Sequence, residues 1–160
     1  MVEADREIGA AWLDETFPVN AARAEAVLKE EHQGPWWQRR ARRLAIALAG
    51  GDEVVGSARV FTFDRNRTSR LAFAMAPWRD DADDLRAEAL ALLVRWLRDE
   101  SEAMVVTAEL PADATATIAA AEALGMDRNG RLREWYGRPG RRVDCLLYQA
   151  LNPRWEVRDA

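Results

Sequence analysis

The sequence predicts a mixed α/β domain with a mainly antiparallel sheet, one parallel strand pair and flanking helices. Three observations lead there. Between residues 44 and 76, strand-like runs are joined by tight polar turns, the pattern of an antiparallel meander. The amphipathic stretch Leu85 to Glu100 then leads into the short apolar run Ala103 to Glu109, and a helix of that length implies a crossover to a parallel strand. Finally, Arg131 to Tyr136 and Val143 to Leu151 flank Pro139-Gly140 and read as an antiparallel hairpin.

Taken in order, Asp5 to Thr16 is predicted helical, with Ile8, Ala11, Trp12 and Phe17 on one face and Phe17-Pro18 ending it. Asn20 is a good N-cap for a second helix, Ala21 to Glu31, whose stripe is Ala24, Val27 and Leu28. Gln33-Gly34-Pro35 breaks the chain before Trp36 and Trp37. Core packing is the commoner role for such bulky aromatics, with a partner contact or a substrate-pocket wall as the alternatives. Arg39-Arg40-Ala41-Arg42-Arg43 reads either as a phosphate- or RNA-binding patch or as a solvated lead-in to a strand, and the acidic whole favours the lead-in.

Strands are expected at Leu44 to Ala49, Glu53 to Phe63 and Arg70 to Ala76, with Gly50-Gly51-Asp52 and Asp64 to Ser69 as turns. Pro77 closes the meander, and Trp78 to Asp84 is a loop rich in carboxylates. Asp83 or Asp84 suits the start of the next helix, where a carboxylate meets the positive end of the dipole. Its apolar face reads as Leu85, Ala89, Leu92, Leu93, Trp96 and Leu97. After the strand at Ala103 to Glu109, Pro111 and Asp113 break the run. Thr115 to Leu124 turns helical and Gly125 supplies the C′ residue, where positive φ carries no Cβ clash. Asn129-Gly130 is a turn signal before the final hairpin.

Composition sets limits on function. A chain of 160 residues reads as a single domain, 1–160, large enough to bury a real core. Hydrophobic residues make up 49% and charged residues 31%, which suits a folded globular protein. The net charge of −4 provides no global field for nucleic acid or anionic membrane. No apolar run is long enough to span a bilayer and no secretory leader is visible, so a cytoplasmic location is expected. Lone Cys145 makes no internal disulfide, lone His32 makes no metal site by itself, and no metal is expected.

Four stretches carry a family likeness. They are Gly51-Asp52-Glu53-Val54-Val55-Gly56-Ser57, Ala76-Pro77-Trp78-Arg79, Ala121-Glu122-Ala123-Leu124-Gly125-Met126, and Gly130-Arg131-Leu132-Arg133-Glu134 together with Val143-Asp144-Cys145-Leu146-Leu147-Tyr148. In order and spacing, over roughly residues 43 to 155, the chain resembles the GNAT superfamily of acyl-CoA-dependent N-acetyltransferases, in its branch that acetylates protein N-termini and small amines. The resemblance implies a central parallel pair that splays apart around acetyl-CoA. The thioester would lie along the backbone of Ala74, Met75 and Ala76. The pyrophosphate would sit at the helix start, at Arg79, Ala82, Asp84 and Leu85.

The same resemblance implies Glu109, at the end of its strand, as base or water-holding group, and Tyr136 or Tyr148 as the proton donor if a tyrosine is used. Glu134 and Asp144, with the Trp36-Trp37 pair, are its candidates for the amine pocket, although Asp144 could equally pair with Arg141 or Arg142. The implied acceptor is a small-molecule amine or a protein N-terminus, and a homodimer is compatible with the family.

The chain also departs from the pattern. Ala82 and Asp84 stand where the phosphate loop has glycine, with Asp80, Asp81 and Asp83 around them, and like charges oppose a pyrophosphate. Ala114 replaces a frequent asparagine and Ala121 the usual acid tyrosine. Two functions are therefore expected: acyl-CoA-dependent N-acetyl transfer, or a degenerate domain of the same fold that binds a ligand or partner without acetyl-CoA chemistry.

Overall fold

The structure, a computed structural model, describes residues 41–154 apart from positions 52, 64, 77 and 139. The two expected N-terminal helices, Trp36-Trp37 and Arg39-Arg40 lie outside the described residues. Six strands form one sheet in the order β1-β2-β3-β4-β6-β5. They are β1 (Ala41–Ala47), β2 (Val54–Phe63), β3 (Thr68–Met75), β4 (Val105–Pro111), β5 (Asp127–Arg138) and β6 (Arg141–Leu151). Every neighbouring pair is antiparallel except β3 and β4. Helix α1 (Ala82–Glu100) makes the crossover between that parallel pair, and α2 (Thr115–Ala123) follows β4. Mixed and mainly antiparallel, the sheet is the architecture the sequence predicts.

Both helices lie on one face of the sheet. Leu90, Val94 and Leu97 of α1 and Ala121 of α2 join Leu71, Val106, Leu110 and Tyr148 in one buried cluster. Each such Leu or Val side chain contributes roughly 1.5–3 kcal/mol when fully buried. The expected face of α1 is corrected in one respect: Leu92 is 68% exposed, and Leu90 and Val94 take the core positions. The run Leu90-Ala91-Leu92-Leu93-Val94 is apolar nearly all round the helix, so periodicity alone could not choose the buried stripe.

Two boundaries also move. Arg42 and Arg43 belong to β1 rather than to a lead-in, because their pairing with Val60 and Arg59 extends the first hairpin. Asn129-Gly130, expected as a turn, lies inside β5 at a register shift against β6. A Cβ on Gly130 would come within 3.1 Å of the Leu147 side chain, so the glycine answers close strand packing rather than chain reversal. Gly125 does end α2 as expected, at φ 72°. Its N–H bonds the Glu122 carbonyl and the Met126 N–H bonds the Ala121 carbonyl, the paired bonds of a Schellman motif.

Asn152 ties the far end together. Its amide donates to the carbonyls of Arg98 and Ala103, both at 3.0 Å, joining the end of α1 to the entry of β4.

Candidate active site

The site begins where the parallel pair lets go. β3 and β4 are in register only from Thr68↔Val105 to Leu71↔Ala108. Beyond that point β3 stays with β2 as far as Met75, and β4 stays with β6 as far as Pro111. The Ala76 N–H bonds the Val55 carbonyl at 2.9 Å, toward β2. Strand N–H groups alternate between the two edges, so those of Phe73 and Met75 point to the side that β4 has left. Gly56, opposite Met75, permits this close approach: a Cβ there would lie 2.8 Å from the Ala74 carbonyl oxygen.

Glu109 stands at the fork on the β4 side. Arg70 donates to its Oε1, and the carboxylate is well covered while the guanidinium is half exposed. These two side chains line both a cavity of about 440 Å³ over the sheet face and a smaller one of about 280 Å³ beside β6. The Tyr136 hydroxyl donates to the Glu109 carbonyl at 3.3 Å. Burial, then the neighbouring Cys145 thiol, holds the Tyr136 phenol well above its usual range, so it stays protonated.

A bulge in β5 brings Tyr136 there. Between Leu132↔Cys145 and Tyr136↔Val143 the three residues Arg133, Glu134 and Trp135 oppose Asp144 alone. Asp144 holds the bulge from one side, accepting the Glu134 N–H at 2.7 Å and pairing with Arg131. Arg142 holds it from the other, donating to the carbonyls of Glu134 and Trp135. Glu134 itself sits at φ 51°, a left-handed conformation that this double grip sustains.

At the other end of the gap is the start of α1. Asp81 occupies the N-cap position, yet its side chain caps nothing. It is gripped by Arg79 through two bonds of 2.7 Å, and Arg79 spends a further donor on Glu53 at 2.7 Å. The Arg79 contact holds the Asp81 carboxyl below its ordinary range. Asp83 turns away to α2, accepting from the Ala116 N–H at 2.7 Å and the Thr117 hydroxyl at 2.6 Å. Arg86, one turn further on, is largely buried, lies 3.3 Å from Asp83 and is shifted downward by desolvation.

Neither a family model nor a curated protein matches the chain. Solved structures do. A provisionally named acetyltransferase from Sphaerobacter thermophilus DSM 20745 is 48% identical over 94% of this chain and 90% of its own, with a TM-score of 0.70. An acetyltransferase of the GNAT family from Bacillus anthracis superposes with a TM-score of 0.61 at 16% identity, over 92% of this chain and 83% of its own. The chain belongs to the GNAT superfamily. The spermidine N-acetyltransferase of Vibrio cholerae, solved with CoA and spermine, shares the fold at 15% identity, with a TM-score of 0.65 over 95% of this chain and 92% of its own.

Within this GNAT fold the residues expected from the sequence divide. Glu109 and Tyr136 meet at the fork, beside the strand end that carries Ala74, Met75 and Ala76. Tyr148 faces the helices, where its hydroxyl donates to Glu122 at 3.0 Å, and it packs in the core cluster. Asp144 is spent on the bulge, and its partner is Arg131 rather than Arg141 or Arg142. Arg141 pairs instead with Asp113. Glu134 contributes backbone groups to the bulge.

Sequence reasoning passed over Arg70, Arg59, Phe61 and Trp135, which line the larger cavity. The signal was present in the alternation of β2, where Ser57, Arg59, Phe61 and Phe63 share the face opposite buried Ala58 and Val60.

Proposed function

We propose that this GNAT protein is an acyl-CoA-dependent N-acyltransferase that acetylates the amine of a small molecule. The observation that carries this reading is the parting of β3 and β4 after Leu71↔Ala108, which leaves backbone N–H groups of β3 without a strand partner. The open amides at the start of α1 fit an acyl-CoA, and two of the four aspartates there are engaged by other groups, while Asp80 and Asp84 are exposed. Asp81 is neutralised by Arg79 and Asp83 is drawn off to α2, so neither carboxylate is left to repel a pyrophosphate at full strength. The first intrahelical bond runs from the Leu85 N–H to the Asp81 carbonyl, so the amides of Asp83 and Asp84 are open to an anion.

On this reading the β3 edge from Phe73 to Ala76 holds the pantetheine arm, and Arg79 to Leu85 receives the pyrophosphate. When bound, acetyl-CoA supplies an activated acyl thioester, whose carbon–sulfur bond is exchanged for a carbon–nitrogen bond to the amine. Glu109 takes up, directly or through water, the proton the amine gives up, with Arg70 fixing the carboxylate in place. Tyr136, kept protonated by burial and set at the fork, would donate a proton toward the departing thiolate. Because a thiol has pKa near ~8.5, this donation helps without being indispensable.

The test is a melting curve with acetyl-CoA, followed by thiol release with an amine panel. Ligand at a hundred times its Kd stabilises the native state by about 2.7 kcal/mol, which raises Tm by roughly 5–10 °C for a chain of this size. A second reading, ligand binding without transfer, draws support from Ala82 and Asp84 at the loop's glycine positions. An unchanged Tm at millimolar acetyl-CoA would decide for it.

A further inference from the structure

We infer that the acceptor is a small amine bearing a bulky apolar group, and that Trp135 is the residue that selects it. The inference rests on the acyl-transfer reading and names the class of amine. The 440 Å³ cavity has the size of a small-molecule site, and Glu109 and Tyr136 stand in its wall.

Trp135 and Tyr136 are consecutive in the chain, yet both line this cavity. In a regular strand neighbouring side chains face opposite sides of the sheet, so one of the two would be turned away. The three-residue bulge opposite Asp144 removes that constraint. Glu134, the middle residue of the bulge, holds a left-handed φ of 51°, which a residue with a Cβ adopts at a cost. Asp144 accepts the Glu134 N–H at 2.7 Å, and Arg142 donates to the Glu134 and Trp135 carbonyls at 2.7 and 3.4 Å. Backbone contacts on both sides of the bulge thus fix the point from which the indole projects.

The indole is not part of the core. Trp135 is 52% exposed and takes no place in the buried cluster or the side chains packed against it. Phe61 and Phe63 reach the same cavity from alternate positions of β2, and Phe63 is 48% exposed. Exposed apolar side chains scattered singly over a surface need no explanation. These are gathered instead: β2 and β5 have three strands between them in the sheet, and their rings meet at one hollow. Glu109, which takes the amine proton in the proposed reaction, lines that hollow as well. Aromatic side chains around a concave site favour an apolar group, because packing the two together removes both surfaces from water.

The experiment measures initial rates and calorimetric binding on the full chain for ethylamine, cyclohexylethylamine and phenethylamine. A polyamine and a peptide beginning with phenylalanine are added. The ring-bearing amines should exceed ethylamine in kcat/KM by roughly ten-fold or more, the size of a small apolar difference in a hydrophobic pocket. Most of the gain should lie in KM, since the ring packs alike in the ground and transition states. Trp135→Ala should remove most of that gain, while Trp135→Phe should keep part of it.

Equal rates along the series, or better rates with the polyamine or the peptide, would overturn the inference and leave acyl transfer standing. A ring preference that survives Trp135→Ala would remove Trp135 as the selecting residue. Should acetyl-CoA fail to bind while the ring-bearing amines still bind, with affinity lost in Trp135→Ala, the transfer reading falls and the pocket assignment holds. Neither turnover nor binding of those amines would sink the pocket assignment itself. If Trp135→Ala does not fold, the series on the unaltered chain decides the acceptor class and Trp135→Phe decides the residue.

Discussion

Asp83, in the first turn of α1, caps a different helix: its Oδ1 lies 2.6 Å from the Thr117 hydroxyl oxygen on α2, and its Oδ2 accepts the Ala116 N–H at 2.7 Å. The N-cap of α2 is Ala114, whose methyl group offers no cap, and Asp83 of α1, 34 residues before Thr117, supplies the missing oxygen. The bond joins the two helices that cover the sheet and directs the carboxylate toward α2.

Asp83→Ala should therefore destabilise the fold by about 1–2 kcal/mol, the usual loss for an N-cap, through α2 rather than α1. Asp83→Asn keeps the acceptor and should recover most of it. Urea midpoints of the two variants measure the difference, and equal losses in both would mean that charge, not capping, is what matters.

Asp81 behaves differently, because its partner is Arg79. Asp81→Ala frees two Arg79 donors beside the start of α1 and should strengthen acetyl-CoA binding several-fold at low salt, with the gain shrinking as ionic strength rises. Calorimetry at two salt concentrations reads this directly. A weaker complex would place Arg79's present geometry, not its release, in the service of the ligand.

Glu109→Gln removes the proton acceptor while preserving shape. In the proposed role its loss lowers kcat/KM for the amine by roughly a hundred-fold, which initial rates of parent and variant measure. An unchanged kcat/KM would remove Glu109 from the mechanism.

The bulge that aims Tyr136 depends on acidity in a definable direction. The Glu134 N–H, and then Arg131, hold the Asp144 carboxyl below its ordinary range. A depressed folded-state pKa gives stability that is full above the unfolded value, near ~3.9, and is lost as pH falls through the folded value. Asp144→Asn should accordingly be less stable than the parent at neutral pH. The gap should close in acid, below about pH 4, and urea midpoints from pH 2 to 7 test this. A gap that persists at pH 2 would show that the geometry of the carboxamide, not charge, sets the cost.

Much of the fold was legible because local rules and tertiary structure agree. Gly125 after an apolar helix, the apolar run Val105–Ala108, and Pro139-Gly140 between two strands agree with what local rules favour, so the order of elements along the chain and the parallel crossover followed from the chain alone, whereas the place of β6 between β4 and β5 did not. The likeness in Gly51–Ser57 gains a physical reason in the tight contact of Gly56 with Ala74 and Met75. Glu109 and Tyr136 could be named as candidates from their positions in sequence.

What the sequence could not reveal was the pairing between residues far apart in the chain. That Asp83 serves Thr117, that Asp144 meets Arg131 and the Glu134 amide rather than its neighbours Arg141 and Arg142, and that Arg70 reaches Glu109 all depend on strand register and on a three-residue bulge. Register is a cooperative property of the whole sheet, since a slip of one residue moves every side chain to the opposite face. The four aspartates near α1 therefore read as one repulsive cluster in the sequence. Asp81 is held locally by Arg79, two residues before it, whereas Asp83 finds its donors on α2 only once the two helices are packed together.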